Sequence, residues 1–180
     1  PPENVSEKEL YLQPEGKLSF SAPEDATGFY EEYLSDPFKP VPYTAPFLSA
    51  RSFYNREYLS EDQRFASTRP DVLVYEGDII KEDVTVTGPV EVELYVSTTG
   101  TDADWVVKVV DVHPAETEES NEEIQDHLKM SNYHLMVRSE VMRGRFRNSF
   151  SDPEPFEPNK KTPVNIKLQD VYHTFRKGHK

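Results

Sequence analysis

The chain has 180 residues, 33 of them acidic and 20 basic, for a formal net charge of −13. Such acidity lacks the positive footprint of a nucleic-acid binder and is repelled by anionic membrane surfaces, so neither is expected as a partner. Cysteine is absent, which excludes disulfide scaffolds, thiolate zinc sites and cysteine nucleophiles, and no apolar run nears the roughly 20 residues of a membrane helix.

Along the chain, Leu10-Tyr11-Leu12 and Lys17-Leu18-Ser19-Phe20 read as two short strands around the turn residues Pro14-Glu15-Gly16. Residues 21–70 carry Pro23, Pro37, Pro40, Pro42 and Pro46 and keep no period. Their many aromatics exclude a disordered linker, so this irregular stretch is expected to be ordered by packing on another surface. From residue 72 the pattern becomes β. Val72-Leu73-Val74-Tyr75 reads as a strand, and Val84-Thr85-Val86-Thr87 as a second, ended by Gly88-Pro89. Val90 to Val96 alternates apolar and acidic, as a strand with one wet face does. Trp105 to Val112 is almost continuously apolar, the signature of a strand covered on both faces. Tyr133 to Val141 and Val164 to Leu168 complete the series. The acidic stretch 115–130 and the proline-rich stretch 151–159 are connections. Many short strands with little helix predict an all-β sandwich or jelly roll. Residues 1–70 would form its hairpin and docking segment and 71–180 the β-sandwich. The sequence stops at a turn where another strand is expected, leaving an unpaired edge, so a longer parent polypeptide is expected.

Candidate chemistry is sparse. No G-x-S-x-G elbow presents a serine nucleophile. The five histidines show no H-x-x-x-H pairing and no EF-hand pattern surrounds Asp102 or Asp104, so no metal and no cofactor are expected. Arg143, Arg145 and Arg147 are spaced by two and would share one strand face. Their guanidinium groups suit structural ion pairs with Asp102, Asp104 or Asp111 better than phosphate binding, given the net charge. Trp105 lies in the most apolar strand and reads as core, so a sugar-stacking platform would have to use tyrosines.

Several segments together carry a resemblance. They are Asp62-Gln63-Arg64, Arg69-Pro70-Asp71-Val72-Leu73, Thr101-Asp102-Ala103-Asp104-Trp105-Val106-Val107-Lys108, Asp111-Val112-His113-Pro114, Arg143-Gly144-Arg145-Phe146-Arg147 and Phe175-Arg176-Lys177-Gly178-His179. In this order they resemble the C-terminal domain of the X-Pro dipeptidyl-peptidase and cocaine esterase family, most of all its α-amino-acid ester hydrolases. The resemblance implies a galactose-binding-like jelly roll that packs on an upstream α/β-hydrolase domain. That domain would carry the catalytic serine, aspartate and histidine, and this chain none of them. By itself the chain would then turn over neither esters nor peptides. It also implies that aromatics of the irregular stretch, Phe47, Phe53, Tyr54 and Tyr58, face the active-site rim or the docking surface. Glu57, Glu61 and Asp62 would lie near a substrate's amino group. Homo-oligomer formation is compatible with the pattern, and export to a periplasmic or external compartment is the lean of the resemblance. A free-standing carbohydrate-binding or adhesion module is the alternative, decided by what lies upstream in the reading frame.

Overall fold

The computed structural model describes residues 4–24, 28–45, 59–116 and 130–180. Within them the regular structure is β apart from one four-residue α-helix and short 3₁₀ turns. The elements are β1 (Tyr11–Gln13), β2 (Lys17–Ser19), α1 (Arg64–Ser67), β3 (Val84–Val96), β4 (Asp104–Val112), β5 (His134–Arg143) and β6 (Thr162–Phe175). Three pairs form: β1 with β2, β3 with β6, and β4 with β5. Residues sort into two compact units. The first comprises Pro1–Val84, Val110–Met136 and Thr174–Lys180; the second comprises Thr85–Val109 and Val137–His173.

In the second unit the core forms where strand alternation predicts it. Val164, Ile166 and Leu168 of β6 are at most 1% exposed, with polar neighbours pointing outward. Against them and Phe156 pack Val90, Val92, Leu94 and Val96 of β3, Trp105, Val107 and Val109 of β4, and Met142 of β5. The alternation of β6 slips by one residue at Gln169 and Asp170, both exposed, before Val171 is buried again. At the slip, the Asp170 carbonyl accepts two bonds from the Arg138 guanidinium, at 3.0 and 2.8 Å.

Two strand boundaries differ from expectation. Gly88-Pro89 does not end a strand; β3 runs through it for 13 residues. A proline removes a ladder donor, but among the described residues β3 pairs with β6 alone, so a residue lacking N–H can sit on the side away from β6. Residues 72–75 are not a ladder strand despite their β-branched composition. Only Glu76 bridges, in parallel, to Lys17.

In the first unit, β1 and β2 pair antiparallel with Tyr11 opposite Ser19 and Gln13 opposite Lys17. The connecting turn Pro14–Gly16 places Glu15 and Gly16 at φ 63° and 67°. Gly16 is required twice over. A Cβ there would sit 2.7 Å from the Val74 carbonyl oxygen, and side chains rarely adopt this φ. The Gly16 carbonyl accepts from the Glu76 N–H at 2.7 Å and the Leu18 N–H donates to the Glu76 carbonyl at 2.9 Å.

The irregular stretch 28–45 is tied to the segment that follows α1. Tyr75 donates its hydroxyl to Glu31 at 2.7 Å. Burial, then this carboxylate, pushes the Tyr75 phenol well above its ordinary range. Tyr33 is raised as well, by burial and then by the charge of Asp71. Asp71 is itself gripped by both arms of Arg69, at 2.8 and 2.7 Å. Arg69 also reaches the Lys39 carbonyl at 3.5 Å, so side chains of residues 69 and 75 both touch the irregular stretch.

Candidate functional site

The arginine-rich segment is not a strand face. β5 ends at Arg143, and Gly144–Phe146 is a 3₁₀ turn, so Arg143, Arg145 and Arg147 diverge. The cause is packing: the Gly144 N–H donates to the Ala103 carbonyl at 2.8 Å and Phe156 presses on the missing side chain. Asp102 accepts from the Arg145 Nε at 2.6 Å and from its backbone N–H at 3.2 Å. Asp104 lies 3.4 Å from Arg143, both well exposed. Arg147 takes a different partner. It donates to the Gly144 and Glu154 carbonyls at 3.0 and 2.7 Å, stands 3.6 Å from the Glu154 carboxylate, and covers the Phe156 ring at 4.5 Å. With side chains 45% and 25% exposed, the Arg145–Asp102 pair is of the surface kind, worth about 0–1 kcal/mol as a charge pair. Asp111 lies beside His179, with its Oδ1 2.8 Å from the His179 Nδ1.

Trp105 packs against the core, yet its Nε1 is buried with no hydrogen-bond acceptor among the described residues. Of the exposed tyrosines that a sugar platform would need, Tyr95 already carries the Lys161 ammonium 4.6 Å above its ring.

A polar cluster surrounds the start of α1. Gln63 is buried and donates its N–H to the His134 carbonyl at 3.0 Å. Asp62, the residue before the N-cap Gln63, accepts from the Arg64 N–H at 3.1 Å, holds the Arg64 guanidinium, and receives the His134 N–H at 3.4 Å. Burial pushes the Asp62 carboxyl up, but the Arg64 bonds and charge and the His134 N–H outweigh it, and the net shift is downward. Burial lowers His134, only partly offset by the charge of Asp62. Glu61 accepts the Ala45 N–H at 3.1 Å through one oxygen; its other oxygen is buried without a partner among the described residues.

These shifts have one sign. A histidine held below its ordinary value near 6.5 stabilises the fold above that pH, and the contribution is lost as pH falls through the depressed folded value. A depressed aspartate contributes above about 3.9 and loses its share as pH falls through its own folded value. Melting temperature should therefore drop in two stages on acidification. His134→Gln should remove the first stage and leave the second. A pH series of thermal unfolding curves checks this; identical profiles for both proteins would refute it.

Phe47, Phe53, Tyr54 and Tyr58, proposed to face a partner domain, lie outside the described residues, as does Glu57. The described part of the same stretch, whose aromatics were expected to be ordered by packing on another surface, leaves large apolar residues exposed. Tyr30, Leu34 and Phe38 are 75%, 83% and 92% exposed. Their signal was present in composition, as large apolar residues between prolines in a stretch without period.

The fold defines a class, an all-β domain built on an aliphatic core, with ion pairs at its surface. The chain belongs to the family described as the X-Pro dipeptidyl-peptidase C-terminal non-catalytic domain, which matches residues 1–180. It is similar to the cocaine esterase of Rhodococcus sp. (strain MB1 Bresler), with 29% identity over 165 residues, 92% of this chain and 25% of that protein. Among solved structures it is similar to an aminopeptidase from a marine sediment Thaumarchaeota archaeon and to an α-amino acid ester hydrolase. Each superposes with a TM-score of 0.84 at 40% identity, over 94% of this chain and 27% of the other. The chain thus spans about a quarter of the length of the relatives it matches.

Proposed function

We propose that the chain is the accessory domain of a larger serine hydrolase acting on an ester or amide bond beside an amino acid. In this reading it is a galactose-binding-like jelly roll that packs on an upstream α/β-hydrolase domain and helps form the rim of the active site. Residues 1–70 are the docking segment and 71–180 the β-sandwich. The single observation that carries the reading is the exposure of three large apolar residues, Tyr30, Leu34 and Phe38, within one short stretch whose Glu31 is hydrogen-bonded to Tyr75. Large apolar residues concentrated in one exposed stretch support an interaction surface where they form a continuous patch. The family and the quarter-length coverage of hydrolase relatives support a catalytic domain as the occupant.

The test uses the full-length polypeptide with Leu34→Asp and Phe38→Asp. Each places a charge where an interface core would be dry. Truncation of an interface anchor costs about 2 kcal/mol or more, so kcat/KM for an amino-acid ester should fall, on that scale, about thirtyfold. The catalytic domain should also melt independently of this one. Unchanged kinetics and a single unaltered transition for both variants would reject the docking surface. A fall in oligomeric state with intact kinetics would assign it instead to a second copy.

A further inference from the structure

We propose that Asp111, His113 and His179 form a binding site for one divalent transition-metal ion of the zinc type. The juxtaposition follows from a short ladder. Val112 and Lys180 exchange both backbone hydrogen bonds, each at 3.0 Å, the pattern of directly opposed residues in an antiparallel pair. Side chains alternate along extended backbone. Residues 111 and 113 therefore point to the face opposite Val112, and residue 179 to the face opposite Lys180, so all three meet on one side.

The geometry bears this out. Asp111 Oδ1 lies 2.8 Å from His179 Nδ1, the His113 and His179 rings have centroids 4.4 Å apart, and one ligand atom from each residue lies within 4.8 Å of the others. Asp111 is 2% exposed. A tetrahedral ion bound at 2.0–2.2 Å requires ligand atoms about 3.3–3.6 Å apart. Side-chain rotation alone spans the difference: the Asp111–His179 contact opens by about half an ångström and the widest separation closes by a little over one.

The backbone is already in place on both sides. Gly178 donates to the Ile80 carbonyl at 2.8 Å, Ile80 donates to His179 at 2.8 Å, and His113 donates to Tyr133 at 2.9 Å. The Tyr133 ring stands edge-on to His113. Two imidazoles and one carboxylate suit zinc, cobalt, nickel or iron; calcium and magnesium favour all-oxygen shells. Three protein ligands leave a fourth position for water. With Asp111 and His179 separated by 68 residues, the ion would act as a clasp between distant segments.

The experiment takes the full-length protein after chelation and dialysis. Zinc uptake is titrated by calorimetry, and cobalt(II) is used as an optical probe of a four-coordinate nitrogen and oxygen site. Three variants are compared: Asp111→Asn, His113→Phe and, as a control elsewhere on the chain, His173→Gln. His113→Phe keeps a ring against Tyr133, so the fold survives even if Asp111→Asn disturbs it. The expected result is one equivalent of zinc fewer in Asp111→Asn and His113→Phe than in the unaltered protein and in His173→Gln. The intense cobalt visible bands should vanish with it, and so should the rise in melting temperature in zinc at about 100 times its Kd. Equal uptake by His113→Phe and the unaltered protein, or no uptake by the unaltered protein, would overturn the proposal.

Discussion

Phe156→Ala should be the most damaging single truncation in the described chain, lowering stability by about 3–5 kcal/mol. Phe156 is 3% exposed and joins the proline-rich connection to the aliphatic core of β6. Its ring also carries the Arg147 guanidinium at 4.5 Å, and its N–H donates to the Thr101 carbonyl at 2.8 Å. Deleting the ring opens a cavity, removes the platform under Arg147, and leaves the connection with little apolar anchorage. Urea unfolding monitored by Trp105, the single tryptophan and a neighbour of this core, reads the effect directly. A loss under about 1 kcal/mol would mean that the site collapses without a void and that the ring is dispensable.

Gly144→Ala should cost about 1–3 kcal/mol or somewhat more, by overpacking. A Cβ at this position would stand 2.2 Å from Phe156 Cε2 and 2.7 Å from the Ala103 carbonyl oxygen. The first contact can relax only by moving a buried ring. The second involves backbone held by the Gly144 N–H itself. The two substitutions should therefore be coupled. In a Phe156→Leu background Gly144→Ala should cost less, by an interaction energy of about 0.5–3 kcal/mol. Rescue should be partial, because the carbonyl contact remains. Strict additivity in the double-mutant cycle would show that the two residues do not compete for the same space.

Sequence pattern revealed the fold wherever burial acts through local periodicity. The alternation from Val90 to Val96 occupies a strand because a sheet face imposes a period of two on whatever it buries. The apolar run from Trp105 to Val112 is also a strand but is not covered on both faces throughout, since Val106 is 62% exposed. Pattern failed where the deciding contact is distant. Val72 to Tyr75 has strand composition but no ladder, since Glu76 alone finds a partner, Lys17, across the hairpin. The spacing of Arg143, Arg145 and Arg147 suggested a common face, but Gly144 turns the chain there because Ala103 and Phe156 occupy the adjoining space. His179 and Asp111 are 68 residues apart, so no local spacing could pair them. The apolar residues at 30, 34 and 38 were visible in composition, but their place depends on contacts from Arg69 and Tyr75 that lie 30 and 44 residues away.

The contacts made by residues 177–180 bear on the order in which the molecule can form. Lys177 donates its N–H to Asp83 across 94 residues of sequence, and Lys180 reaches Glu76 across 104. During synthesis these partners wait until nearly the whole stretch has left the ribosome, so the first unit cannot close vectorially from its amino end. Closure across such separations precedes any reward from the contacts, which places folding in the slow, millisecond-to-second regime of non-local β topologies. Throughout that interval Leu34 and Phe38 stand in water, apolar surface of the kind that chaperones bind and on which nascent chains aggregate.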